Sequence, residues 1–372
     1  MIRVFEPKIY YKDKLAVWSA VSKKNISGSS IEISKFEKSL AQYFNREYAV
    51  AVSNGSVALD IAFQNLDLKE DDEVILPAFT IISCLAAVIR SGAKPIFCDV
   101  ESDSWNMSID NIKKVYTPKT KAILMVHTYG LTADVDNILK FCEENNVILI
   151  EDSSEAHGQE FEGMKCGTFG LMSTLSFYAN KHITSGEGGA VLTNDKEVYQ
   201  NIIQMKNLDF NNNQRFQHEN FYWNYRLGSL QAALGRSSIN SIEKTIYTKI
   251  KKAKVYDELL SDYSDLIEIP LRQKDNVRNH YWVYGILLKE GISRDGLIDY
   301  MYKKNIETRP FFWPLNKQEA YQKVFNEVHE CPNSEKLGRQ GLYIPIGGHV
   351  TINQQKQIIK EIIDGISFLT TA

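Results

Sequence analysis

The stretch Ser173-Thr-Leu-Ser-Phe-Tyr-Ala-Asn-Lys181-His-Ile-Thr-Ser-Gly-Glu-Gly-Gly189 sets a lysine between a strand-forming run and a glycine-rich turn that enters a second run. Lysine is the side chain that forms a stable Schiff base with an aldehyde, provided its neutral amine is available. An isolated lysine is most often a surface residue, so Lys181 gains meaning from its company. In Val147-Ile-Leu-Ile-Glu-Asp152-Ser-Ser-Glu155-Ala-His-Gly158 an apolar run delivers Asp152 at its carboxyl end. An aspartate there can cap the next turn, or can pair with a protonated ring nitrogen and turn that ring into an electron sink. A third stretch, Val52-Ser-Asn-Gly55-Ser56-Val-Ala-Leu59, is a turn into a helix. Its first N–H groups and the Ser56 hydroxyl suit a phosphate, although the same turn also serves as an ordinary helix entry. Gly186–Gly189 lacks the spacing and the strand-to-helix setting of a dinucleotide fingerprint.

These residues need a scaffold that brings strand ends together. Between residues 50 and 200 short apolar runs predict strands at Glu73–Leu76, Pro95–Asp99, Ala122–His127, Val147–Glu151, Thr174–Tyr178 and Ala190–Thr193. Helical spacing separates the earlier ones, as in Val57, Ala58, Ile61 and Ala62, or Val135, Ile138, Leu139 and Cys142. Such alternation predicts an α/β fold with a mostly parallel sheet sandwiched by helices, and ligands beyond the carboxyl ends of its strands. After Gly228 the pattern changes. One long helix is predicted over Ile239–Tyr263, an aromatic strand over Tyr281–Leu288, a helix over Arg294–Lys304, a rigid loop at Pro310–Pro314 and a last helix over Asn353–Phe368. The expected organisation is a large domain over residues 1–240 and a smaller C-terminal α+β domain over 241–372.

Composition narrows the function classes. Among 372 residues, 43 Lys+Arg nearly balance 46 Asp+Glu, and the Lys249–Lys254 cluster reads as a solvated helix face, so nucleic acid is not an expected partner. No apolar run approaches a membrane span, and the first ten residues have no signal-peptide core. The five cysteines are scattered without metal-ligand spacing, which predicts reduced thiols, a cytoplasmic protein and no metal site. His127 and His157 read as hydrogen-bonded structural histidines, and the aromatics Tyr281, Trp282, Tyr284 and Phe311–Trp313 as core.

Taken in order along almost the whole chain, these motifs resemble the DegT/DnrJ/EryC1/StrS family of pyridoxal 5'-phosphate (PLP) dependent aminotransferases, of fold type I. The likeness runs through Asn25-Ile-Ser-Gly28, Ser53-Asn-Gly-Ser-Val-Ala-Leu59, Asp72-Glu-Val-Ile-Leu-Pro77, Pro118-Lys-Thr-Lys-Ala-Ile123 and Val126-His-Thr-Tyr-Gly130. It continues through the Asp152 and Lys181 stretches, Trp223-Asn-Tyr-Arg-Leu227 and Glu307-Thr-Arg-Pro310. The stretch from Ser176 to Gly189 is most like the perosamine-synthase branch, which aminates a nucleotide-linked 4-keto-6-deoxyhexose. The resemblance implies that Lys181 is the Schiff-base lysine and general acid/base and that Asp152 meets the pyridine nitrogen. It implies that Gly55, Ser56 and Ser176 hold the phosphate and that Glu155, where most relatives carry Gln, meets the phenolic oxygen. Asn224 would reach the phosphate of a neighbouring subunit, making a homodimer with shared sites. The expected partners are a small-molecule amino donor, L-glutamate, and a keto acceptor, in amino-sugar and polysaccharide biosynthesis.

Several positions depart from the family pattern. Ile81 stands where an aromatic often stacks on the pyridine ring, so ring packing is expected from Ile81 or Phe79. Trp223 replaces a usual Gly, Gly228 a usual Thr or Ser, and Asn316 a common His. Arg309, His182 and Trp223 are candidate substrate contacts. A Trp at 223 would crowd a hexose, which keeps open a smaller acceptor such as a three-carbon keto phosphate held by Arg309. A sugar dehydratase of the same fold would carry His in place of Lys181. A PLP-binding regulatory protein without turnover would have no need of Lys181, Asp152 and Ser176 together.

Overall fold

A computed structural model describes residues 1–371 apart from 211–215, 326 and 328. The large sheet is built from β1 (Tyr48–Val52), β2 (Glu73–Pro77), β3 (Lys94–Cys98), β4 (Thr120–Val126) and β5 (Ile148–Asp152). After a hairpin of β6 (Glu160–Phe161) and β7 (Met164–Lys165) come β8 (Met172–Ser176) and β9 (Gly189–Thr193). Their order is β1-β9-β8-β5-β4-β2-β3. Every pairing from β8 through β3 is parallel, and β9 alone runs against its neighbours. The expected α/β architecture is present, with one strand, β1, that its short run had hidden. β2 is buried along its whole length, as a strand covered by helices on both faces must be.

The helices α1 (Tyr11–Ser22), α2 (Ile31–Phe44), α3 (Gly55–Gln64), α4 (Ile82–Arg90), α5 (Ile109–Val115), α6 (Val135–Asn145) and α7 (Lys196–Met205) precede or connect these strands. Helix α3 turns Ala58, Leu59, Ile61 and Ala62 into one core with Val74, Leu76 and Leu124 of the sheet. Each leucine, isoleucine or valine among them contributes roughly 1.5–3 kcal/mol on full burial. On the other face Phe36, Leu40 and Phe44 of α2 pack with Leu175, Phe177 and Ala190.

The long helix expected over 239–263 is present and begins three residues later, at Ile242. Helix α8 (Ser229–Ile239) stops, and α9 (Ile242–Leu260) starts afresh from Ser241, whose carbonyl accepts the Thr245 N–H. The smaller antiparallel sheet has the order β10-β13-β15-β14, with β10 at Ile267–Glu268, β13 at Tyr284–Leu288, β14 at Arg309–Pro310 and β15 at Gly341–Ile344. A second hairpin, β11 (Gln273–Lys274) with β12 (Val277–Arg278), precedes β13. The strand expected from Tyr281 begins at Tyr284. Tyr281 has φ +52°, its N–H bonds the Asn279 carboxamide, and Trp282 N–H donates to the Tyr129 carbonyl of the large sheet's loops. The first residues also pair beside the smaller sheet: Ile2 forms an isolated bridge with Ile306, and Ile346 N–H donates to Val4 O. A cut at residue 240 does not anticipate that pairing.

What fixes the end of β5 is a buried carboxylate. Glu151 Oε1 accepts from His127 Nε2 (3.0 Å), Ser153 Oγ (2.7 Å) and Gly167 N–H, and Oε2 from Phe169 N–H (2.8 Å), Ser173 Oγ (2.7 Å) and Gly170 N–H (3.4 Å). Burial alone would push its pKa up, but the bonds from His127, Gly167 and Ser173 outweigh that and hold it down at about 2. Cys166 lies near the same groups, its ligand atom within 4.8 Å of theirs. With three donors on each carboxylate oxygen, Glu151 is already satisfied without an ion. We predict that Glu151→Ala costs about 3–5 kcal/mol in urea unfolding at pH 7, because it strands buried donors. A depressed carboxylate stabilises the fold above its unfolded pKa near 4.5 and loses that contribution as pH falls toward about 2. The gap between wild type and variant therefore narrows on acidification.

Candidate functional site

Asp152 ends β5 beside Val126 at the end of β4 and Thr174 of β8, and Ser176 ends β8 opposite Gly189. Because these strands are parallel, their carboxyl ends open on one edge of the sheet, where α3 begins. There lies a cavity of about 320 Å³, reached by Gly55, Ser56, Asp152, Glu155, Ser176 and Lys181. The sequence had scattered these six over 127 positions, and the fold brings them together.

Helix α3 is started by Asn54, whose side chain accepts the Val57 N–H at 2.9 Å. That leaves the earliest N–H groups of the helix without intrahelical partners, facing an acceptor to come. Gly55 has to be glycine because a Cβ would stand 2.7 Å from Ser176 Cβ. The Ser56 hydroxyl shares one bond with Ser83 (2.7 Å), and the Ser176 hydroxyl takes one long bond from Tyr178 N–H (3.4 Å). Asp152 accepts from Ser154 N–H (3.0 Å) and, weakly, from the Cys84 thiol (3.6 Å). An ionised carboxylate has about four acceptor positions, so Asp152 can still take a ring N–H from the cavity. A cationic ring nitrogen at Asp152 and a phosphate at Gly55, Ser56 and Ser176 match this donor and acceptor set.

Lys181 and Glu155 are buried together. Nζ lies 3.5 Å from Glu155 Oε1, whose other oxygen accepts the Tyr129 N–H at 3.0 Å. Burial raises the Glu155 pKa to about 7 in spite of Lys181, and burial lowers that of Lys181 in spite of Glu155 and Asp152. The result is a lysine that gives up its proton more readily than a surface lysine, next to a carboxyl group that changes charge near neutrality.

Other expected contacts fall elsewhere. His182 is buried and faces a second cavity beside the first, with Nδ1 3.3 Å from the His157 carbonyl; among the expected contacts only Lys181 lines both cavities. His127 and His157 are core histidines: Ala133 N–H bonds His127 Nδ1, and Ile183 N–H bonds His157 Nδ1. Ile81 lines the cavity, whereas Phe79 is turned into the core against Tyr129 and Phe311. Trp223 is 69% exposed and does not line the cavity of its own chain. Asn316 is buried, donating to His329 O and Glu335, and Arg309 pairs with Glu307 at 3.0 Å. Asn224 bridges Asn207 in a segment beside the exposed Trp223, outside the cavity. Trp282, Phe312 and Tyr343, read as core or passed over, also line the cavity. No local spacing connects them to Lys181; the smaller sheet delivers them.

The DegT/DnrJ/EryC1/StrS aminotransferase family pattern matches residues 10–363. The chain belongs to this family. It is 36% identical over 344 residues to the GDP-perosamine synthase of Escherichia coli O157:H7, across 92% of this chain and 93% of that one. Identity to the GDP-perosamine synthase of Vibrio cholerae is 32% over 363 residues, 96% and 97% of the two chains. Among solved structures, Helicobacter pylori PseC, an aminotransferase involved in the biosynthesis of pseudoaminic acid, superposes with a TM-score of 0.92 at 23% identity, covering 98% and 99%. This family member is a PLP-dependent aminotransferase of fold type I. When bound, PLP supplies an electron-withdrawing ring that stabilises negative charge on the carbon that loses its proton. Lys181 would hold it and move that proton, Asp152 would keep its ring nitrogen protonated, and the start of α3 with Ser176 would hold its phosphate.

Glu155 gives a testable charge effect. An anion beside Lys181 Nζ favours protonation of that nitrogen, so Glu155→Gln should lower the pH at which the lysine-bound cofactor's absorbance titrates, by about one unit. The variant should keep its activity, since Gln preserves the shape and can accept the Tyr129 N–H. A titration superimposable on wild type would separate Glu155 from the cofactor.

Proposed function

We propose that this aminotransferase moves an amino group from L-glutamate to the ketone of a nucleotide-linked 4-keto-6-deoxyhexose. Identity of 36% across 92% of the chain to a GDP-perosamine synthase carries this reading. The site supports it as well. Trp223 stands in solvent at 69% exposure and takes no room in its own chain's cavity, so within one chain it gives no steric reason for a small keto phosphate. Arg309 is committed to Glu307 instead of standing free for a phosphate. Lys181 holds the place that a dehydratase of this fold gives to His.

In this reading Lys181 holds the cofactor and moves the proton. Asp152 binds the ring nitrogen, Glu155 the phenolic oxygen, and Gly55, Ser56 and Ser176 the phosphate. Asn224 belongs to the site of a second copy, in a homodimer with shared active sites. Its neighbours Phe221 and Trp223 are exposed, as are Tyr11 and Trp18 of α1, which suits a surface that another subunit covers. The five cysteines are free and buried, and no helix among the described residues is long and apolar enough to cross a membrane; both suit a protein that works in the cytoplasm.

Single-turnover mixing of the pyridoxamine-phosphate form with acceptors tests the substrate. A GDP-linked 4-keto-6-deoxyhexose should consume it and restore the absorbance of the lysine-bound cofactor, while small keto phosphates leave it unchanged. The opposite pattern overturns the acceptor but not the aminotransferase. Site sharing is tested by mixing Lys181→Ala with Asn224→Ala subunits. Each homodimer should be impaired, and the mixture should recover up to half of the wild-type activity per heterodimer, since one of its two sites has both residues. Proven subunit exchange without recovery excludes sharing.

A further inference from the structure

Lys181 Nζ has a neighbour that its ion-pair partner does not explain. It lies 3.6 Å from the centroid of the Trp282 indole, above the ring; Trp282 is buried and the Lys181 side chain is 9% exposed. Trp282 is held by three hydrogen bonds, one from its indole and two at its backbone. Its Nε1–H donates to the carbonyl of Asn180, the residue before the lysine, at 3.2 Å. Its own carbonyl accepts from Lys249 Nζ of α9 at 2.6 Å, and its N–H donates to Tyr129 O at 3.1 Å. Tyr129 is the residue whose N–H fixes Glu155. One loop of the large domain thus positions both neighbours of the lysine, the carboxyl group and the ring.

We propose that Trp282 is the platform on which the free Lys181 ammonium docks whenever the lysine is not covalently engaged. An aromatic face attracts a cation through its quadrupole, and the attraction grows when the cation is desolvated, as here. The ring carries no charge and keeps no proton, so it steadies the ammonium without competing for the proton that Lys181 has to move. It also limits where Nζ can go: a lysine stem has four rotatable bonds, and the flat wall beneath it confines the amine to the mouth of the cavity. Trp282 is a positioning residue in this scheme, and Lys249 and Asn180 hold it in place.

The charged and titratable groups that face Lys181 come from every element around it. Glu155, Asp152 and the Cys84 thiol favour its protonated form, and His157 and Lys249 feel its charge from the opposite side. None of them changes when only the indole is altered. That makes a graded substitution decisive.

The inference rests on Lys181 as the cofactor lysine and is independent of the acceptor. Its test uses the full chain freed of cofactor and reads the ionisation of Lys181 directly, by competitive labelling of its amine over a pH series with peptide mass spectrometry. Replacing Trp282 with mono-, di- and trifluorotryptophan drains the ring face stepwise and leaves shape and Nε1–H in place. The Lys181 midpoint should fall with each fluorine, to a total of about one pH unit. Trp282→Phe should shift it less than Trp282→Leu. A midpoint that stays flat across the fluorinated series overturns the platform even if Trp282→Leu fails to fold. So does a folded Trp282→Phe that titrates like Trp282→Leu, which would assign the effect to the Asn180 bond. A change of acceptor assay leaves these midpoints untouched, so failure here and failure of the substrate reading remain distinct.

Discussion

Taking an ammonium and a carboxylate out of water costs several kcal/mol for each ion, and a pair survives burial only when further partners meet both. Lys181 and Glu155 face this constraint at 3.5 Å from one another, each less than a tenth exposed. The surrounding structure is arranged around it. Tyr129 donates its N–H to the carboxyl group, Asp152 adds a second negative charge nearby, and Trp282 covers the amine with a ring. Burial pulls the lysine toward its neutral form while the carboxylates pull it back. An amine poised between the two states is what reversible attachment to an aldehyde requires.

Two neighbouring acids illustrate how a strand end sorts chemistry from scaffold. Successive residues of a strand point to opposite faces. Glu151 turns away from the cavity into a shell of donors from the loop at 167–173 and from His127, and its pKa falls to about 2. Asp152 turns toward the cavity with acceptor capacity left over. The first acid is satisfied by the protein and anchors the strand. The second is left for a ligand, and its position depends on the first.

Much of this was legible in the sequence because it is local. Apolar runs with helical spacing between them marked six of the seven strands of the large sheet, and the residues at their carboxyl ends marked Asp152 and Ser176. β1 was missed because its five residues, Tyr48–Val52, merge with the turn at Ser53-Asn-Gly that drew attention for its chemistry. The Trp282 wall was hidden for a different reason. It lies 101 positions from Lys181 and reaches it through Tyr281, whose left-handed backbone at φ +52° delays the strand until Tyr284. Aromatic residues at such a place read as core, and all three are core; Trp282 differs in also lining the cavity, which its spacing does not reveal.

The pairing of the chain's first residues with its last sheet bears on how the molecule is made. Val4 N–H bonds Glu307 across 303 positions, Ile2 lies along Asn305 and Glu307, and His349 reaches back to the Arg3 carbonyl. Partners so remote close the longest loops in the chain, the contacts that form slowly and late. On the ribosome residues 2–4 must wait, unpaired, until their partners at 305–349 have been synthesised. The parallel sheet and its cavity can assemble in that interval, whereas the smaller sheet is completed only when the two ends meet. Birth order and assembly order therefore run in opposite senses here: residues 2–4 emerge long before the partners that fix their place.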